Sequence, residues 1–203
     1  MNKEYECWEI AGRTLEYFDD THTYLVDGIL VPSITTMLGI KFGNKYRGVS
    51  DEVLNRAAEK GTAVHEAIEK LCKTGEVENL KEVRNFIFLQ KHYKFDVLEN
   101  EVPVILFKND KPIAAGRLDL VLKMDGKVGG GDIKRTAALD KEYLAYQLNL
   151  YRIAYRQCYG IEWEFLKGFH LRENVRKFVD LPINENMVWA FIEEYEKEKN
   201  YGF

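Results

Sequence analysis

Apolar residues recur with period two in some stretches of the chain and with a spacing of three to four in others, and the changes of period mark out its elements. Near the centre, residues 116–134 (GRLDLVLKMDGKVGGGDIK) predict two strands joined at Asp125-Gly126, a dipeptide suited to the φ > 0 positions of a two-residue hairpin turn. Partners equidistant from that turn face each other, which sets Asp119 opposite Asp132. Alternation then gives Lys134 the face of Asp132 and places Leu118, Leu120, Leu122 and Ile133 on the other. One face is expected to be apolar, the other to carry two acids and a lysine. Gly129, Gly130 and Gly131, just before Asp132, signal a bulge or a close approach of ligand or backbone.

The remaining elements follow from the same reading. Residues 4–18 and 22–31 predict short strands, with a second Asp-Gly turn at Asp27-Gly28. Ser33 is placed to cap a short helix through Leu38 that Gly39 ends. A helix starting at Ser50 shows the stripe Val53, Leu54, Ala57 and Ala58, pauses at Gly61-Thr62, resumes with Ala63, Ala67, Ile68 and Leu71, and ends near Gly75. Another is expected over 78–94, then a strand over 95–107 turning at Asn109-Asp110 to pair beside the central hairpin. Asp140 is a candidate N-cap for the longest helix, 141–159. Strands at 163–172 and 175–183, joined by Glu173-Asn174, precede a final helix at 185–199. No repeat, low-complexity tract or linker interrupts the order, so 1–203 is read as a single domain of class α/β (α+β).

Composition narrows the class without naming a function. Hydrophobic residues are 46% and charged residues 31%, values of an ordinary globular protein. Neither a long apolar span nor a signal-peptide core is present, so the expectation is a cytoplasmic protein with no membrane association. A net charge of −4 excludes general basicity as a source of nucleic-acid affinity. Residues 40–49 are the local exception: Lys41, Lys45 and Arg47, interleaved with Phe42 and Tyr46, suit either a phosphate backbone with stacked bases or a solvated connector. Cys7, Cys72 and Cys158 are scattered, without CxxC spacing, and read as free thiols.

The chemistry concentrates in acids. Directly opposed carboxylates on a sheet repel, and a divalent cation between their oxygens offsets that repulsion. Glu99 and Glu101 share a face of the preceding strand, and either would supply a third carboxylate to an oxygen-rich site for Mg²⁺ or Mn²⁺. His65 lies one helical turn before Glu69, but HEAIE lacks the second histidine of a zinc-protease motif, and a lone helical histidine is ordinarily structural or exposed. Tyr151 and Tyr155 need no role beyond packing at their helical spacing. Gln147, a polar residue beside an apolar seam, calls for a hydrogen-bonding one.

In order, a helix with His65, a strand with Glu101, a strand with Asp119, a strand with Asp132-Ile133-Lys134 and a helix with Gln147 and Tyr151 resemble the PD-(D/E)XK nuclease superfamily, in particular its RecB-like and phage-exonuclease branches. The resemblance spans about residues 20–160; no proline precedes Asp119, and the second acid, Asp132, is an allowed variant. It implies a restriction-endonuclease-like core, a central mixed sheet flanked by helices. It implies His65, Glu101, Asp119, Asp132 and the Ile133 carbonyl as ligands of one or two Mg²⁺ or Mn²⁺ ions, with Asp119, Asp132 and Lys134 catalytic. Gln147 and Tyr151 would contact DNA or support the site. DNA is the implied substrate, and a single-strand annealing or recombination protein the implied partner, in a bacterial or phage-infected cell. Three cysteines cannot supply the four-cysteine iron–sulfur cluster of some relatives. An idle scaffolding relative and a structure-specific endonuclease are the alternatives.

Overall fold

The computed structural model describes residues 5–43 and 50–201. Four short strands, β1 (Tyr5–Ile10), β2 (Arg13–Phe18), β3 (Thr23–Val26) and β4 (Ile29–Val31), form an antiparallel sheet in chain order. After it come the helices α1 (Ile34–Phe42), α2 (Asp51–Thr74) and α3 (Lys81–Tyr93). A five-stranded sheet then contains β5 (Asp96–Lys108), β6 (Lys111–Met124), β7 (Lys127–Lys134), β8 (Phe165–Arg172) and β9 (Val175–Leu181), again in chain order. Helix α4 (Lys141–Tyr159) connects β7 to β8, which run parallel; the other neighbours are antiparallel. Helix α5 (Glu185–Tyr201) ends the described chain. The architecture is therefore mixed α+β, a central mixed sheet flanked by helices.

Local signals set most boundaries. Ser33 Oγ accepts from Thr36 N at 2.9 Å and Asp140 Oδ1 from Tyr143 N at 3.0 Å, each satisfying an amide that a helix start leaves unpaired. Helix α1 passes through Gly39 to Phe42, and α2 passes without a break through Gly61, because a helical glycine costs only about 1 kcal/mol relative to alanine. The expected stop at the first and pause at the second are corrected accordingly.

The central hairpin keeps the register counted from its turn, with Met124 opposite Lys127, Val121 opposite Gly130 and Leu120 opposite Gly131. The three glycines admit neighbours without forming a bulge. A Cβ on Gly130 would lie 2.0 Å from the Trp163 ring, and one on Gly129 2.4 Å from Phe165. The expectation of one apolar and one polar face is overturned. Leu120, Leu122 and Ile133 pack with Val64, Ile68, Val83 and Phe86 of α2 and α3, while Val121 packs with Leu144, Leu148 and Tyr151 of α4. A strand parallel to its neighbour must have its crossover helix on a face, so helices cover both faces. The acids consequently lie between packed layers. A third cluster, in which Leu15, Tyr17, Tyr24 and Val26 meet Ile105 and Ala115, joins the first sheet to β5 and β6.

Candidate metal centre

The ladder between β6 and β7 stops at Leu120 and Gly131, although β7 continues to Lys134. Beyond it, Ile133 N donates to Asp119 Oδ2 at 2.7 Å, so a side chain takes the place of a strand carbonyl. On the other side of β6, Asn100 pairs with Leu120 and Val102 with Leu118, leaving Glu101 opposite Asp119. Glu101 has φ of +51°, a left-handed conformation costing about 1–3 kcal/mol in a non-glycine residue. That kink ends the face-sharing expected of Glu99 and Glu101. Glu99 accepts from Tyr155 OH on α4 at 2.8 Å, whereas Glu101 faces His65 on α2.

His65 completes the cluster. Its Nε2 lies 3.0 Å from the Ile133 carbonyl, which can only accept, so Nε2 carries a proton. Its Nδ1 lies 3.6 Å from Asp119 Oδ2 and 3.9 Å from Glu101 Oε1. Ligand atoms of His65, Glu101 and Asp119 lie within 4.8 Å of one another, a metal-compatible group among the described residues. A bare lone pair on Nδ1 would confront two carboxylates; a proton or a cation must occupy that direction. Burial pulls the imidazole down, but Asp119 and Glu101 outweigh it and raise its pKa to about 9.

Asp132 stands one step back. It is 1% exposed, and neither oxygen receives a directed hydrogen bond; Lys134 Nζ approaches Oδ2 at 2.6 Å as an ion pair off the hydrogen-bonding direction. Burial, then the charge of Asp119, pushes its pKa up to about 6. Burial raises the Asp119 carboxyl too, against the lowering influence of His65 and Lys134. Lys134 is raised as well: burial lowers it, but Asp132 and Asp119 more than offset that and lift it above the usual lysine range. Of the expected ligands, His65, Glu101 and Asp119 come together as a cluster, with Asp132 paired to Lys134 beside it. Ile133 serves both of its neighbours through its backbone, steering Asp119 by its amide and His65 by its carbonyl.

Gln147 and Tyr151 are each 4% exposed on α4. Tyr151 packs where Gly116 leaves room, since a Cβ there would meet its ring at 3.1 Å. Gln147 Oε1 is buried without a partner. Lys41, in α1 rather than in a loop, places Nζ 5.3 Å from the Tyr146 ring centroid. Lys45 and Arg47 lie outside the described residues.

Arg117, which no motif singles out, also reaches the site. Its Nε is 3.7 Å from Glu101 Oε2, its Nη1 3.5 Å from Glu6 of β1, and its guanidinium 4.7 Å from the centre of the Tyr17 ring on β2. Alternation put Arg117 on the face of Asp119, which was the available signal; Glu6 and Tyr17 had none. After Lys134, a buried ion pair of Arg135 with Glu82 at 2.8 Å and a His170 Nε2 contact to Thr136 O at 2.7 Å secure the connector to α4.

No family model matches the chain, and no curated protein matches it. A solved structure described as the crystal structure of SSO0001 is similar over 82% of this chain and 75% of its own length, at 15% identity and a TM-score of 0.47. Among the described residues, no helix is long and apolar enough to cross a membrane.

Proposed function

We propose that this chain is a metal-dependent deoxyribonuclease of the PD-(D/E)XK type, an exonuclease hydrolysing DNA phosphodiester bonds in phage-type recombination, replication or repair. The observation that carries the reading is His65 Nδ1 lodged against Asp119 and Glu101 at 3.6 and 3.9 Å, with Nε2 committed to Ile133. The fit to a divalent cation rests on that direction, which takes a proton or a cation, and on a donor set of two carboxylates and an imidazole that suits Mn²⁺ and accepts Mg²⁺. His65, Glu101 and Asp119 would hold the ion, with Asp132 and the Ile133 carbonyl as neighbouring oxygens. Bound there, it would supply Lewis acidity and a water acidic enough to attack a phosphodiester near neutral pH.

The chain's own residues provide the rest. Lys134, a compact ammonium held by Asp132 at 2.6 Å, is placed to orient the attacking water and to balance charge building on the phosphoryl oxygens. Asp132 keeps that ammonium charged and in place. Ile133 fixes the directions of His65 and Asp119, and Tyr151 packs α4 against Gly116 of the strand that carries Asp119.

End-labelled linear DNA and closed circular DNA, incubated with Mg²⁺, Mn²⁺ or EDTA, test this reading. Wild type is expected to shorten linear DNA only when metal is present, and Asp119→Ala and Lys134→Ala are expected to lose at least about 100-fold in rate, the scale of one lost electrostatic stabiliser. Nicking of the closed circle would move the assignment to an endonuclease. Intact DNA under every metal condition would overturn the reading in favour of an idle relative.

A further inference from the structure

Resting on that reading, we infer that the groove where β1 meets β5 receives one unpaired nucleobase of the DNA strand whose phosphate lies at the metal centre. The groove is a wide-open depression of about 480 Å³ lined by Trp8, Glu9, Asn100, Glu101 and Tyr159 among others. It opens between two edge strands, since β1 and β5 are the outer members of their sheets.

Three features select a base over other occupants. First, the groove adjoins the metal centre, because Glu101 belongs to both. A strand with its phosphate at that centre brings its neighbouring base within reach of the groove. Second, the walls include aromatic side chains. Trp8 is half-buried at the margin of the cluster around Leu15 and Val26, and Tyr159 is 38% exposed, anchored by a 2.7 Å hydrogen bond from its hydroxyl to Pro103 O. An anchored ring offers a stacking face to any base at little entropic cost.

Third, the polar groups suit a base edge and repel a phosphate. Asn100 lines the groove, and its Nδ2, buried without a partner, gains an acceptor when the side chain turns toward a base edge. Glu9 and Glu99 carry carboxylates that accept from amino or imino groups. Each is steadied by a hydroxyl, Thr14 on Glu9 at 2.7 Å and Tyr155 on Glu99 at 2.8 Å. Glu9 and Glu99 disfavour a sugar-phosphate backbone in the groove, whereas a neutral base with N–H donors complements them. A paired base has its edge and faces occupied, so the groove takes a base only from a single strand or a frayed end.

The test follows tryptophan emission while a mixed-sequence single-stranded oligodeoxynucleotide is titrated into the full chain with EDTA present. Quenching is expected in wild type and absent in Trp8→Phe, which retains Trp163 and Trp189. Trp8→Ala, Asn100→Ala and Tyr159→Ala, each checked for folding by circular dichroism, are expected to weaken oligonucleotide binding about tenfold, the scale of one stacked base. Tyr159→Ala alters the wall from α4 and guards against a misfolded β1 variant. Persistent quenching in Trp8→Phe, affinity unchanged in all three alanine variants, or no binding of the oligonucleotide would overturn the inference. Metal-dependent cleavage with Trp8 unaffected defeats the groove alone; Trp8 quenching without cleavage in Mg²⁺ or Mn²⁺ defeats the nuclease reading alone.

Discussion

At the scale of single residues, the site is a balance of buried charges in which each acid has a distinct counter-group. Arg117 holds Glu101 and Glu6 together while lying over Tyr17, with about a quarter of its side chain exposed. Arg117→Ala removes the guanidinium that pairs with two partly buried carboxylates, and a loss of about 1–3 kcal/mol is expected in urea unfolding of the metal-free chain. Mn²⁺ should narrow that deficit by supplying positive charge to Glu101. In wild type, Mn²⁺ at about 100 times its dissociation constant is expected to add about 2.7 kcal/mol, readable as a rise in the thermal midpoint. Asp119→Ala should abolish that rise, because it removes a carboxylate common to the whole cluster. A rise undiminished in Asp119→Ala would place the ion elsewhere. Of these residues, the order of acids in the chain exposed Asp119, Asp132 and Lys134. It left Glu99 and Glu101 unresolved, because period-two alternation assumes an unbroken strand and Glu101 turns left-handed.

At the scale of elements, the hairpin register was legible because a two-residue turn fixes every partner by counting, and no bulge intervenes. The glycines carry the test of that register. Gly130→Ala would drive a methyl into Trp163, which is 1% exposed and has nowhere to move. A cost of about 3 kcal/mol is expected in denaturant unfolding, at the upper end of ordinary overpacking. Alanine at Gly126, where no atom lies within 4 Å of a Cβ, should suffer only from its positive φ. A tolerated Gly130→Ala would mean that β7 does not lie against Trp163. Which layers cover the hairpin was less legible, since the alternation of Leu120 and Leu122 with Asp119 looks the same whether the acid's face meets solvent or a helix.

At the scale of the whole molecule, α4 is the element to which distant parts attach. Its Arg156 pairs with Glu185 of α5 at 2.8 Å, and Arg152 reaches both Glu185 at 3.3 Å and the Trp163 carbonyl at 3.0 Å. Hydrogen bonding from Arg156 is the main cause that lowers the Glu185 carboxyl to about 2. Because the folded pKa is depressed, the stabilisation is fully present above the ordinary glutamate range and is lost as pH falls toward about 2. Glu185→Gln is therefore expected to cost about 1 kcal/mol at pH 7, kept small by solvent around a pair one-third exposed, and to converge with wild type as the solution is acidified. A difference that persists unchanged with pH would point to packing rather than charge.

The sequence by itself determined the elements, their caps and the hairpin register, because these depend on neighbours a few residues apart: a turn dipeptide, a serine or aspartate ahead of a helix, a stripe at helical spacing. Only the tertiary structure decided that Nδ1 of His65 faces Asp119 and Glu101, that Asp132 retreats to Lys134, and that Arg117 ties the site to Glu6 and Tyr17 of the first sheet. Apart from the Asp132–Lys134 pair, two positions apart, these relations join residues 36 to 111 positions apart. Their geometry is set by how helices and sheets pack and by one left-handed residue in β5, and neither leaves a periodic trace in the chain.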